Sequence, residues 1–192
     1  MKTLDRLLQR WRIRRAALFI PNGARLLDIG CADGTLYRML KPRLGSYVGI
    51  DPGLAKSVTE ENYRLLAGSF PDDFPQISAF DVITMLAVVE NLSSDKQDQV
   101  IEACVQNLAT DGVIIVSTPS PIVDRMLWMM KAVGVVDGMS LDDHYGFETE
   151  AVPQVFDHQE LEYVLHQPFE LGLNHLFVFR KKSGAGNLGH EY

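Results

Sequence analysis

The sequence predicts an α/β, doubly wound fold: a mostly parallel sheet with helices on both faces. Apolar strand-like runs alternate with helical stretches, and the crossovers between runs are long, as parallel neighbours require because tight turns cannot join them. Size and composition agree, since 192 residues with 46% apolar and 22% charged side chains suit one soluble, well-cored unit. Residues 1–182 are taken as a single domain and 183–192 as a disordered tail.

The elements follow in order. Residues 1–20 read as an amphipathic helix, with Leu4, Leu7, Leu8, Trp11 and Leu18 near one stripe and most arginines around the other side. "PNGA" ends it. "RLLDIG" is a strand and Gly34 to Lys41 a helix; "YVGID" is a strand followed by a short helix; "YRLLAG" and "FDVITML" are strands. A helix spans about Asp95 to Leu108, and "GVIIVSTP" is the next strand. Gln159 to Leu165 reads as a helix. "FELGLNHLFVFRK" reads as two strands joined around Asn174 and His175, a terminal hairpin that closes the sheet edge.

Residues 119–156 are longer than a plain connection. Their stretch Val123 to Val133 is methionine-rich, which suits either a core-packing helix or a lid over an apolar acceptor. There is no internal repeat.

Charge is unevenly spread. The total is -7, yet residues 1–15 carry a net +5, leaving -12 for the rest. An acidic body argues against a broad nucleic-acid surface. The basic helix has two readings: it packs over a ligand cleft with a solvated outer face, or it makes peripheral contact with an anionic membrane. No apolar run approaches the roughly 20 residues needed to cross a bilayer, and the arginine-rich start lacks a signal-peptide core. Cys31 and Cys104 form no metal spacing, so a reduced, cytoplasmic setting and no metal site are expected. Nothing in the sequence sets the oligomeric state.

The chemistry concentrates in "LLDIGCADG". Asp28 stands where the strand ends, and the chain turns through Gly30, Cys31, Ala32, Asp33 and Gly34. Gly30 and Gly34 permit positive φ and close backbone approach, and the small Cys31 and Ala32 keep the turn clear of a ligand. Some twenty residues on, Asp51 ends its strand, where an acid accepts hydrogen bonds from both ribose hydroxyls and disfavours a 2′-phosphate. Adenosine follows, in NAD or in S-adenosylmethionine. The spacing here is G-x-x-x-G rather than the dinucleotide G-x-G-x-x-G. Asp28 and Asp33 would repel a pyrophosphate and attract a sulfonium with its ammonium group, so S-adenosylmethionine is the cofactor expected.

In order and spacing, "LLDIGCADG", "VGIDPG", "FDVITMLAVVENL" and "LATDGVIIVSTP" resemble the successive motifs of class I S-adenosylmethionine-dependent methyltransferases, closely from about Ala24 to Thr118 and more loosely through the hairpin to Lys181. The resemblance implies a seven-stranded sheet with the last strand antiparallel and a cofactor across the carboxyl ends of the first strands. By position, Gly30, Cys31 and Ala32 would line the methionine part and Asp51 would hold the ribose. Pro52 would flank the adenine, Ser69 and Phe70 would meet its edge and face, and Leu86 and Ala87 would border the methyl donor. Three positions depart from the family pattern: Ala32 for a glycine, Ser69 for an acid, and Asn91 for a histidine after the fourth strand.

Other readings stand beside these. The glycine turn alone fits a strand-to-helix turn without ligand. Cys31 lacks a basic partner and reads as packing rather than a nucleophile. Asp81, at the amino end of its strand, reads as structural, while Glu90 and Asn91 have a better claim to line the site. His144 is the candidate base for an oxygen acceptor, ahead of Tyr145 and His158. The acceptor expected is a small or medium-sized metabolite, lipid or glycan-pathway intermediate, with S-adenosylhomocysteine as product. The competing classes are a non-catalytic binding or scaffold protein on the same fold and, further off, a nicotinamide-dependent oxidoreductase.

Overall fold

The computed structural model describes residues 2–75, 79–120 and 149–183. Its helices are α1 (Lys2–Ala16), α2 (Thr35–Leu40), α3 (Ser94–Asn107) and the single turn α4 (Val152–Val155). Its strands are β1 (Ala24–Ile29), β2 (Leu44–Asp51), β3 (Val58–Glu60), β4 (Tyr63–Ala67), β5 (Phe80–Leu86), β6 (Leu108–Pro119), β7 (Leu161–Phe169) and β8 (Asn174–Lys181). They form one sheet in the order β3-β4-β2-β1-β5-β6-β8-β7.

β1 lies parallel between β2 and β5, and the parallel pairing continues outward to β4 and β6. Strand order therefore reverses direction at β1/β5, the place in an open sheet where a crevice opens beyond the carboxyl ends of the strands. Alternate side chains of these strands feed two cores. Leu26, Val82 and Ile115 pack with Ile13, Ala16, Leu36 and Leu40 of α1 and α2. Leu27, Ile83 and Ile114 pack with Val100, Ile101, Cys104 and Val105 of α3. With helices on both faces, the doubly wound class holds.

α3 buries Gln97, Val100, Ile101, Cys104 and Val105, the i, i+3, i+4, i+7, i+8 stripe of an amphipathic helix. The Gln97 side-chain amide donates to the Val89 and Leu92 carbonyls (3.3 and 3.2 Å), which ties the helix to the loop after β5. At the amino ends of β1 and β5, Asp81 accepts the Arg25 backbone N–H (2.9 Å) and its guanidinium (2.8 Å). That contact holds the Asp81 carboxyl below its usual range and is the structural role its position implies.

The structure corrects four expectations. No helix follows β2; Val58–Glu60 form β3, which turns through Glu61 and Asn62 to pair antiparallel with β4 and adds an eighth strand to the seven expected. Gln159 to Leu165 is not a helix: Leu161, Val164 and Leu165 have helical spacing, but the chain from Leu161 is extended and pairs along β8. The hairpin turn falls at Glu170 to Leu173, with Phe169 opposite Asn174, so Asn174 and His175 open β8 instead of forming the turn. On α1, the small Ala16 and the branched Ile13 face the sheet, because they let the helix approach closely, while Leu7 and Trp11 and the following Leu18 are exposed. Among the described residues no helix is long and apolar enough to cross a membrane.

Candidate active site

A cleft of about 560 Å³ opens at the carboxyl ends of β1, β2 and β5. Its wall is made by the residues that follow those strands, because a chain leaving a parallel strand must turn there before its crossover. From β1 come Gly30 and Ala32, from β2 Asp51 and Pro52, from the loop after β4 Ser69 and Phe70, and from the end of β5 Leu86, Ala87 and Val88.

The backbone at this rim is strained. Ala32 and Ala87 sit at φ 48° and 61°, and Gly30 at 72°. Left-handed non-glycine residues cost of order 1 kcal/mol or more each and concentrate at functional sites. Neighbours hold them in place: the Ala32 N–H donates to the Asp51 carboxylate (2.8 Å) and the Ala87 N–H to the Ser117 carbonyl (2.8 Å). The other Asp51 oxygen accepts the Gly53 N–H at 2.7 Å, so both oxygens of this half-buried carboxylate are fixed at the rim.

Gly30 has a second constraint. A Cβ there would stand 2.4 Å from Cγ2 of Val88, which follows the neighbouring strand β5. Gly30→Ala is expected to destabilise the protein by about 1–3 kcal/mol, measured by urea unfolding. Gly23→Ala shares the positive φ, but nothing lies within 4 Å of its Cβ, so it isolates the backbone cost. Equal losses in the two variants would show that Val88 yields freely.

Behind the turn, Asp28 is buried in β1. Tyr47 of β2 and Thr84 of β5 both donate hydroxyls to its carboxylate, at 2.8 and 2.7 Å. Burial pushes this carboxyl up to about 6, against the two hydroxyl hydrogen bonds and with a small addition from the charge of Asp51. Asp28 and Cys31 line a small cavity of about 30 Å³ that adjoins the cleft, sharing Gln9, Arg12, Gly30 and Leu86 with it. Burial pushes the Cys31 thiol up, with the charges of Asp28 and Asp51 adding to the effect, so at neutral pH it is a protonated packing group. Gly34 precedes α2 at φ 74° and packs under Tyr63. Asp33 turns away to Arg38, 2.7 Å distant.

Of the sequence candidates, the cleft thus gathers Gly30, Ala32, Asp51, Pro52, Ser69, Phe70, Leu86 and Ala87, and also Asn91. Asp28, Cys31 and Gly34 stand outside its lining. Phe70 is mostly buried and packs at a tilt against Phe74 while reaching the cleft. Glu90 is buried beside Val89 in the short turn after β5 and is not in the lining. His158 contacts Glu102 of α3 (3.3 Å), away from the cleft. His144, Tyr145 and the rest of residues 121–148 in the 119–156 insertion lie outside the described residues.

Sequence reasoning missed Gln9, Arg12 and Lys96, which also line the cleft. The signal for the first two was the Ile13 and Ala16 stripe, which turns Gln9 and Arg12 inward. Lys96 comes from the first turn of α3 and is held by Asp72 at 2.5 Å. Among the described residues, no cluster of three or more His, Cys, Asp or Glu is placed to hold a metal.

A larger hollow, about 620 Å³, is lined by Asn22, Arg43, Asp81 and Asp111. It lies at the amino ends of the parallel strands, which is the wrong end for a ligand in this topology.

Comparison with known proteins places the chain. A family model described as a methyltransferase domain matches residues 2–167. The ubiquinone biosynthesis O-methyltransferase of Pseudomonas aeruginosa is 32% identical over 118 residues, covering 56% of this chain and 48% of that one. The tRNA U34 carboxymethyltransferase of Methylococcus capsulatus is 34% identical over 90 residues, 42% of this chain and 28% of that one. The chain spans about half or less of the length of these curated relatives. The N-methyltransferase NodS of Bradyrhizobium japonicum, solved with S-adenosyl-L-homocysteine, superposes with a TM-score of 0.59 at 18% identity, covering 92% of this chain and 86% of that one. A TehB-like SAM-dependent methyltransferase of Corynebacterium glutamicum gives 0.61, also at 18% identity, covering 93% and 97%. At such identities the likeness is one of fold.

Proposed function

The chain belongs to the methyltransferase domain family, and from that premise we propose that it transfers the methyl group of S-adenosylmethionine to a small or medium-sized acceptor. The acceptor is a metabolite, lipid or glycan-pathway intermediate, and S-adenosylhomocysteine is the product. The observation that supports this most is the strained rim at the β1/β5 switch point, where Ala32 and Ala87 are held left-handed in the lining of a cleft that also takes in Asp51.

The residues present fit an adenosine-containing cation. Asp51 keeps lone pairs free beyond its two backbone bonds, so it can take the ribose hydroxyls. Pro52, Ser69 and Phe70 offer an apolar slot with one polar edge for the adenine, while Gly30 and Ala32 bring backbone close to the methionine part. Leu86 and Ala87 border the reacting end. Asp28, Cys31 and Gly34 act behind the turn, holding its shape. When bound, the cofactor supplies an electrophilic methyl on a positively charged sulfur. The chain's contribution is then to align the acceptor in line with it and to exclude water.

The O-methyltransferase relatives make a hydroxylated acceptor the first to test. Such an acceptor needs a proton acceptor, and the described cleft lining contains no histidine or glutamate; we assign that role to His144. The net -12 beyond residue 15 favours a small acceptor over RNA. Calorimetry with S-adenosylmethionine, S-adenosylhomocysteine and NAD tests the reading: micromolar binding of the first two and none of NAD is expected. Folded protein that binds neither sulfur ligand would overturn it, and binding without transfer to any acceptor would leave a scaffold protein.

A further inference from the structure

An ordinary surface helix turns its polar side to water. α1 does the reverse along its outer ridge. At about 100° per residue, Ile13 and Ala16 mark the side packed on the sheet, with Gln9 and Arg12 beside them at the cleft. Opposite stand Leu7, Trp11 and, in the short turn that continues the helix, Leu18; these are 45%, 41% and 69% exposed. Exposed Arg10 and Arg14 flank this strip on one side and Arg15 on the other.

A second element extends the strip. The turn from β7 to β8 projects Leu171, fully exposed and held at φ 59°. The neighbouring Phe169 and Glu170 share a depression with Trp11, Arg14, Arg15 and Leu18, so helix ridge and hairpin tip form one surface. Single exposed leucines need no explanation. A contiguous apolar strip bordered by arginines does.

Charge separation indicates the occupant. The first fifteen residues carry +5 and the remainder -12, so an extended negative surface would draw this helix in and push the acidic body away, fixing one orientation. Leucine and tryptophan flanked by arginine is the composition that lies in the headgroup boundary of a bilayer. We propose that this surface docks the protein on an anionic lipid bilayer, with Leu7, Trp11, Leu18 and Leu171 entering the headgroup boundary and Arg10, Arg14 and Arg15 meeting the lipid phosphates. The docking does not depend on the methyl-transfer reading, because none of these side chains lines the cleft.

The test is flotation of the full chain with phosphatidylcholine vesicles, with and without phosphatidylserine. Binding is expected only with phosphatidylserine and is expected to weaken as salt rises. Arg14→Gln/Arg15→Gln should bind roughly 25-fold more weakly, about fivefold for each arginine. Trp11→Ser/Leu18→Ser should also lose binding, with circular dichroism at the assay temperature unchanged in both variants. The proposal fails if wild type stays unbound at low salt, or binds equally without phosphatidylserine, or if the variants bind as wild type does. It fails equally if light scattering shows a wild-type dimer that Trp11→Ser/Leu18→Ser makes monomeric, which would give the face to a second copy of the chain.

Discussion

Asp51→Ala protein is expected to bind S-adenosylhomocysteine at least about 100-fold more weakly than wild type, while remaining folded. In the native protein the Ala32 and Gly53 N–H groups each hold one oxygen of this carboxylate, at 2.8 and 2.7 Å. The group is therefore oriented before any ligand arrives, and little ordering cost remains when ribose hydroxyls donate to it. Hydrogen bonds to a charged group contribute about 1.5–3 kcal/mol each. Losing two removes about 3 kcal/mol at the low end, which is more than two orders of magnitude in affinity. Asp51→Asn keeps one acceptor oxygen and should fall between the two, at about a tenfold loss. Calorimetry on the three proteins, with melting curves to confirm folding, decides the matter. An Asp51→Ala affinity within a few-fold of wild type would remove Asp51 from the ribose site.

The second large effect is a pH dependence of stability carried by Asp28. Its carboxyl titrates at about 6 in the folded protein against an ordinary value of 3.8, and burial is the main cause. Because the folded state holds the proton more tightly, stability from this group is fully present below the unfolded value and is lost as pH rises to the folded one. The loss is about 3 kcal/mol between pH of about 3 and 7. Urea unfolding of wild type and Asp28→Asn across that window should show wild type losing this amount relative to the variant. A difference that stays constant with pH would show that the Tyr47 and Thr84 hydroxyls offset the burial completely.

The two predictions rest on parts of the chain that were unequally legible. The run from β1 through the glycine turn to Asp51 could be read from sequence because each signal is local: a buried strand, small residues at a turn, an acid where the next strand ends. β3 and β7 could not. Their identity depends on partners in β4 and β8, and Leu161, Val164 and Leu165 have a spacing that fits a helix equally well. α1 was recognised but turned the wrong way, since Trp11 and the leucines look more core-like than Ile13 and Ala16; the helix buries its small side because that side packs closest. The same error hid Arg12 from the cleft. Left-handed Ala87 carries no sequence mark, and Ala32 only that of standing where the family pattern has a glycine; hydrogen bonds to Ser117 and Asp51 help hold the two.

The position of β8 constrains how the chain can be made. Last in sequence among the described strands, it is inserted between β6 and β7. A nascent chain that has emerged only to Phe169 therefore holds β6 with one side unpaired and β7 with no strand to join. That open side carries Ile114, Ile115 and Val116 in an unbroken apolar run, the kind of segment that recruits other chains when left unpaired. Translation stalled before Asn174, or proteolysis there, would release a sticky intermediate rather than a shortened but soluble protein. Pairing of the eight-residue β8 thus seals the open sides of β6 and β7 at once.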